Sequence, residues 1–267
     1  MSDVLSEIIA GVRADEATRR LSARELRERI DAAPPARDTL TSLKSRPFSV
    51  IAEVKRSSPS KGELAKIPNP ERLAESYAAN GAGAISVLTE SRRFGGSLAD
   101  LSAVKGAVEI PLLRKDFMVS EYLIEESRAF GADLILLIVA ALDQVQLRDF
   151  YAIVHGLGMQ ALIEIHDEAE LERAMAIDPA IIGVNARNLK TLAVSSEPFA
   201  RLLPMIPANI YRVAESGISG ASDANFARQC GADAILVGES LVRAADPGAV
   251  LSELLAIGAA HQQDLRK

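Results

Sequence analysis

Tryptophan is absent from this sequence, and aromatic residues of all kinds make up only 4% of it, so any core must be aliphatic. A single cysteine, Cys230, excludes an intramolecular disulfide and a cysteine-cluster metal site. It closes the amphipathic pattern FARQCGAD and reads as a small buried hydrophobe. No apolar run is long enough to span a bilayer, the longest being LILLIVAAL at 134–142. The first 20 residues mix acidic and basic side chains and lack the apolar stretch of a secretory signal, so a cytoplasmic location is expected. There is no long Lys/Arg block, and the net charge is −6, which argues against a polyanion-binding surface. Neither nucleic acid nor membrane is an expected partner. The histidines are few and scattered: His155 in a helical run, His166 near a strand end, His261 in the C-terminal tail. They form no metal constellation, and no metal site is expected.

What remains is the balance of an ordinary globular protein, 48% apolar and 25% charged. The 267 residues suffice for two average domains or one large α/β barrel. Up to residue 46 there is no strand-like run. SDVLSEIIAGVRADEATRR and SARELRERIDAA place apolar residues three or four apart, as helices do, and PPARD separates them from a short helical TLTSLKS. From residue 48 a rhythm sets in. Short apolar, β-branched runs occur at 48–55, 84–89, 111–117, 132–140, 160–166, 180–187, 209–216 and 234–240. Helix-period segments such as PERLAESYAANG, SEYLIEESRAFG and DEAELERAMAID lie between them, many opening on Ser, Asp or Pro and several closing on Gly. The strand runs do not alternate in polarity, which fits a parallel sheet covered by helices. Eight strand–helix units fit a (β/α)8 TIM barrel. An open doubly wound sheet is the competitor, but the turn after the first run, SSPSKG, is no GxGxxG. The expected organisation is one domain over 1–267, with an N-terminal helical extension at 1–46 and the barrel at 47–267.

Strand residues alternate between the barrel interior and the surrounding helices. In IAEVKRSSPSKG (51–62), Ile51, Glu53 and Lys55 share a face. Leu113, Lys115 and Phe117 are likewise in phase, as are Leu162 with Glu164, Gly183 with Asn185 and Arg187, and Val213 with Glu215. One inward charge can be a structural ion pair. Five strands bringing such groups to the C-terminal rim, where barrel enzymes hold their chemistry, point to a site, because unpartnered burial costs several kcal/mol each. Lysines facing one another lower each other's pKa, and carboxylates raise it again. A tuned Lys/Glu pair suits proton transfer, and a lone inward lysine suits Schiff-base chemistry. AESGIS (214–219) and LVGESLV (236–242) each set a Gly in a turn at the end of the last two strands, either as a tight turn or as a backbone cradle for phosphate. Ser58, Ser60 and Lys61 can close such a site from the first loop. Phe94, in SRRFGGS, is a loop anchor or a stacking residue.

The stretches IAEVKRSSPSKG, LLRKDFMV, ALIEIHDE, IGVNARNLKT, VAESGIS and LVGESLV, in this order and spacing, resemble the indole-3-glycerol phosphate synthase family over essentially the whole chain. The resemblance implies a (β/α)8 barrel of tryptophan biosynthesis that needs neither cofactor nor metal. It implies a small-molecule substrate, a sugar phosphate bearing an anthranilate ring: 1-(2-carboxyphenylamino)-1-deoxyribulose 5-phosphate, converted to indole-3-glycerol phosphate, CO2 and water. By the same resemblance Lys115 is the general acid of ring closure and Glu164 the acid/base of dehydration. Lys55 assists Lys115, Glu53 positions these groups, and Asn185 and Glu215 hold the substrate. Arg187 lies near the anthranilate. Ser58 and the backbone at Ser216, Gly217, Gly238 and Glu239 bind phosphate, and Pro59, Phe94, Phe117, Leu136 and Leu189 form the apolar slot. A monomer or weak homo-oligomer is expected. Three other barrels are weighed against it: phosphoribosylanthranilate isomerase, which has no need of the Lys55/Lys115 pair, a class I aldolase, which would use Lys115 covalently, and a sugar-phosphate-binding barrel without turnover.

Overall fold

The computed structural model describes residues 4–264, with side chains through residue 258. Three helices precede the first strand: α1 (Val4–Arg19), α2 (Ala23–Ala32) and α3 (Thr39–Lys44). Ser22 starts α2 with a capping box, its hydroxyl accepting from the Glu25 N–H while the Glu25 carboxylate accepts from the Ser22 N–H. Asp38 caps α3 by accepting from the Thr41 N–H at 3.0 Å.

Among the described residues, eight parallel strands close into a barrel: β1 (Ser49–Val54), β2 (Ala84–Leu88), β3 (Leu112–Lys115), β4 (Leu134–Ile138), β5 (Gln160–Ile165), β6 (Ile181–Asn185), β7 (Tyr211–Glu215) and β8 (Ala234–Val237). Each strand pairs with its chain neighbours, and β8 closes on β1. This is the (β/α)8 architecture, and it settles the choice against the open sheet. The outer layer runs α4 (Pro70–Ala79), α5 (Leu98–Ala107), α6 (Glu121–Ala129), α7 (Gln144–Gly156), α8 (Glu168–Met175), α9 (Glu197–Leu202), α10 (Ala221–Gln229), α11 (Glu239–Val242) and α12 (Pro247–Asp264). Three of these helices return to the sheet through GAG or GAD turns, whose glycines Gly81, Gly131 and Gly231 stand at φ between +94 and +106°, a backbone region that L side chains avoid. No helix among the described residues is long and apolar enough to cross a membrane.

The core is aliphatic, as the scarcity of aromatic residues requires. Val50, Ile85, Leu112, Ile135, Ile163, Ile182, Ala214 and Ile235 are fully buried on the strands. Each such Leu, Ile or Val contributes roughly 1.5–3 kcal/mol. The register confirms the inward phase of the polar residues. Glu53 lies opposite Ser86, Leu88 opposite Lys115, Ile138 opposite Glu164, Glu164 opposite Gly183, and Asn185 opposite Glu215. Residues paired in register point to the same side of a parallel sheet, so the phase inferred on one strand is carried round the barrel.

The strands are shorter than the apolar runs, and the difference matters at the rim. Lys55 and Arg187 lie just past the ends of β1 and β6, on loop backbone. Ser57–Ser58 and Gly62–Glu63 form a small antiparallel ribbon over the barrel mouth. Arg187 bridges antiparallel to Val194. His261, near the C-terminus, falls within α12, its side chain lying outside the described residues. Cys230 is only partly buried against the core.

Candidate active site

The C-terminal ends of the strands surround a cavity of about 540 Å3. Every site residue put forward from the sequence, from Glu53 on β1 to Glu239 on α11, lines it. At its base three strands contribute one ionic cluster. Lys115 Nζ lies 3.0 Å from Glu164 Oε2 and 3.3 Å from Glu215 Oε2. Lys55 Nζ, just past the end of β1, lies 2.7 Å from Glu53 Oε1 on that strand, while Glu53 Oε2 accepts from the Ser86 hydroxyl at 3.3 Å. Asn185 accepts from the Arg187 N–H at 2.9 Å through its side-chain oxygen.

Close backbone approach makes room for these carboxylates. A Cβ on Gly183 would meet Glu215 Oε1 at 2.0 Å, and one on Gly238 would meet Glu53 Oε1 at 2.4 Å. Neither contact is possible for a real side chain, so glycine at each position is what lets the acid reach its place. Lys115 is steadied from behind. Its neighbour Arg114 points outward, fully buried, and donates to Thr89, Asp116, Ser127 and Glu126. A buried guanidinium with its donors taken up fixes the backbone on which Lys115 stands.

The electrostatics follow from this packing. Burial pulls the Lys115 ammonium toward neutrality, but the fields of Glu164, Glu215 and Glu53 outweigh it and hold its pKa above the ordinary lysine value. The raising effect expected of the carboxylates is present, while the lowering one comes from burial and not from Lys55, which is paired with Glu53. Burial pushes Glu164 up, yet Lys115 and His166 overcome it and leave its pKa below the ordinary carboxylate value. Glu215 goes the other way. Burial, aided by the neighbouring Glu164 and Glu53 carboxylates and only partly opposed by Lys115, pushes it up to about 8. Neither oxygen of Glu215 has a hydrogen-bond partner in the protein, its contact with Lys115 being an ion pair without hydrogen-bond geometry. The cluster therefore combines an ammonium, an ionised carboxylate and a carboxyl group that holds its proton near neutrality, which is the equipment of general acid–base chemistry.

Above the cluster the walls become apolar. The Phe94 and Phe117 rings lie 6.3 Å apart at 40°, with Pro59, Leu136 and Leu189 completing a slot. Phe94 is set by its loop, because the Glu90 carboxylate accepts from the N–H groups of Arg92, Arg93 and Phe94 at 2.7–3.1 Å. On the far side lie the turns after β7 and β8. Ser216 adopts φ +66° and Gly217 φ +74°. For Ser216, which carries a Cβ, this backbone costs roughly 1–2 kcal/mol, the kind of strain that concentrates at functional sites. Ser58 faces the same cavity with a buried hydroxyl that has no protein partner. Arg187 reaches from the β6 loop to the Ser60 hydroxyl at 3.2 Å, and Lys61 pairs with Glu239 at 2.7 Å, so the first loop is tied to two others across the mouth.

Sequence reasoning missed one wall altogether. Val4, Leu5 and Ile8 of α1 line the cavity. The helix is held there by Arg19, which forks onto Glu126 at 3.1 and 2.9 Å, by Arg92 on Asp15 and by Arg93 on Glu7. Periodicity reveals an apolar stripe on α1 but not what it covers. Leu88 and Ile138, also lining the cavity, were within reach of the period-two rule at their strand ends.

The whole chain has relatives. The sequence profile of a family described as indole-3-glycerol phosphate synthase matches residues 5–254. An indole-3-glycerol phosphate synthase of Nocardioides sp. is 57% identical over 251 residues, covering 92% of this chain and 96% of the relative. That of Streptomyces griseus is 55% identical over 258 residues, covering 96% of each. Among solved structures, thiamine phosphate pyrophosphorylase from Pyrococcus furiosus is similar with a TM-score of 0.59, over 82% of this chain and 98% of that one. At 15% identity this likeness speaks to the fold alone.

Proposed function

The chain belongs to the indole-3-glycerol phosphate synthase family, decarboxylating carbon–carbon lyases of tryptophan biosynthesis, and we propose that it turns 1-(2-carboxyphenylamino)-1-deoxyribulose 5-phosphate into indole-3-glycerol phosphate, CO2 and water by acid–base catalysis from Lys115 and Glu164. The observation that carries this reading is the Lys115–Glu164 contact at 3.0 Å on the floor of an apolar slot. The anthranilate ring enters between Phe94 and Phe117, with Pro59, Leu136 and Leu189 around it and Arg187 near its carboxylate. The phosphate lies across the cavity at Ser58 and the backbone of Ser216, Gly217, Gly238 and Glu239. The unpartnered Ser58 hydroxyl and the strained Ser216 support that placement.

Between these anchors the ketose carbonyl sits over Lys115. Ring closure builds negative charge on the carbonyl oxygen, and an ammonium within reach gives it a proton. The carboxylates that keep Lys115 protonated support an acid rather than a Schiff-base amine, which must be neutral to attack. Loss of CO2 breaks the bond to the ring carbon, and its electron pair returns to the ring, cancelling the positive charge shared by the ring and its nitrogen and restoring aromaticity. Departure of water then calls for a proton at the leaving hydroxyl and removal of another from the ring, the work of Glu164. Lys55, paired with Glu53, assists Lys115, while Asn185 and Glu215 hold substrate hydroxyls. We read residues 1–267 as one domain, since the α1 helix supplies part of the slot.

The test is turnover. Incubation with 1-(2-carboxyphenylamino)-1-deoxyribulose 5-phosphate should yield indole fluorescence together with an equivalent of CO2. Folded protein that binds the substrate and yields neither would leave a binding barrel in place of an enzyme.

A further inference from the structure

One polar cluster behind the cavity has no part in this scheme. His166 lies one residue beyond β5, is largely buried, and does not line the cavity. Its Nδ1 lies 3.0 Å from Glu170 Oε2, and its backbone N–H donates to the same oxygen at 2.8 Å. Glu170 is itself fixed, being in the first turn of α8, where its N–H donates to the Asp167 cap at 2.9 Å. The opposite ring nitrogen, Nε2, is buried, makes no hydrogen bond of regular geometry, and points at Glu164 Oε1 from 3.5 Å. Glu164 is thus bracketed, with Lys115 on one oxygen and His166 on the other.

The chemistry of the two acids restricts where protons can be. An ionised carboxylate only accepts, so Glu170 requires a hydrogen on Nδ1. A neutral imidazole would then turn its Nε2 lone pair toward the Glu164 carboxylate, two acceptors facing one another in a buried place. That contact is favourable only with a proton in it, either on Nε2 as imidazolium or on Oε1 as carboxylic acid.

We propose that His166 is a positioning residue that holds Glu164 through a single proton shared between Nε2 and Oε1, with Glu170 fixing the imidazole, and that this proton supplies Glu164 during turnover. The proposal rests on the acid/base role of Glu164 given above. For Glu164 to protonate the leaving hydroxyl, the shared proton passes through its carboxyl group: the Nε2–H bond breaks, an O–H bond forms on the departing hydroxyl as its C–O bond breaks, and an ionised Glu164 is left beside a His166 that is a neutral imidazole on Glu170. When Glu164 next accepts a proton from the ring, the transfer reverses, and no proton is consumed over the cycle. The groups facing His166 agree with this arrangement: Glu170 from α8, Glu164 from β5 and Glu215 from β7 are all acidic, and Lys115 pairs with the other oxygen of Glu164. Burial pulls the imidazolium down, but these carboxylates outweigh it and hold its pKa above the ordinary histidine value. The pair titrates as a unit.

The full chain has three histidines, so nitrogen-15 spectra of the imidazole rings, assigned by the loss of signals in His166→Gln, read the proton directly. In the wild type both ring nitrogens of His166 should be protonated at pH 7, and Glu164→Gln should lower the midpoint of its titration by at least one pH unit. A wild-type midpoint at the ordinary histidine value, or one that Glu164→Gln leaves in place, overturns the proposal whether or not the protein turns over the substrate. With 1-(2-carboxyphenylamino)-1-deoxyribulose 5-phosphate, His166→Gln, which keeps a donor but cannot titrate, should lose at least tenfold in kcat with KM within twofold and an altered pH profile. A rise in KM alone, or an unchanged pH profile of kcat, would reduce His166 to a packing element and refute its part in supplying the proton.

Discussion

Lys115 and Glu164 meet across an intervening strand: they stand on β3 and β5, with β4 between them, and their side chains close to 3.0 Å inside the barrel. Neither strand neighbour nor sequence neighbour, the two are brought together by the inward curvature of the sheet. With Glu215 3.3 Å away on β7, one ammonium answers two buried carboxylates, which is why the second of these keeps its proton so far above the ordinary carboxylate range.

That retained proton makes stability depend on pH. The pKa of Glu215 is raised from 4.5 to about 8 in the folded protein, so the native state binds this proton more tightly than the unfolded chain does. Its contribution is complete below about pH 4.5 and is lost as pH rises through about 8, by an amount on the order of a few kcal/mol. Denaturant unfolding followed from pH 5 to 8.5 should show a declining stability in the wild type and a flatter curve in Glu215→Gln. Parallel curves for the two proteins would mean that Glu215 is ionised throughout.

The room made by glycine gives a second expectation. Gly183→Ala drives a methyl group into Glu215 Oε1 and brings it within 3.1 Å of a Leu162 methyl. Overpacking of this kind costs about 1–3 kcal/mol. Since the carboxyl group is the easier of the two neighbours to displace, kcat should fall at least tenfold while the protein remains folded at room temperature. Circular dichroism alongside steady-state kinetics distinguishes this from unfolding, and wild-type turnover in a folded Gly183→Ala protein would show that the place of Glu215 is immaterial.

Much of this site was legible in the sequence, and for a definite reason. Strand side chains alternate strictly, so the phase of Ile51 fixes that of Glu53, and the phases of Leu113, Leu162 and Val213 fix those of Lys115, Glu164 and Glu215. The pairing among these charges was not legible. Lys55, just past β1, turns back to Glu53 two residues earlier in the chain, and Lys115 turns to Glu164 two strands away. Nor was the covering of the cavity by Leu5 and Ile8, which depends on Arg19 finding Glu126 more than a hundred residues later in the chain. His166 was visible as a histidine at a strand end, but Glu170 meets its ring only because α8 begins where it does.

The most direct measurement is the steady-state rate of Lys115→Ala with 1-(2-carboxyphenylamino)-1-deoxyribulose 5-phosphate, read by indole fluorescence beside the wild type, with substrate binding measured separately by calorimetry. A positioned general acid contributes roughly 10²–10⁴-fold, so kcat should fall by at least that factor. The phosphate and ring contacts should keep the dissociation constant within about tenfold, a shift of about 1.4 kcal/mol. A Lys115→Ala protein that closes the indole ring at a rate within a few-fold of wild type would contradict the account.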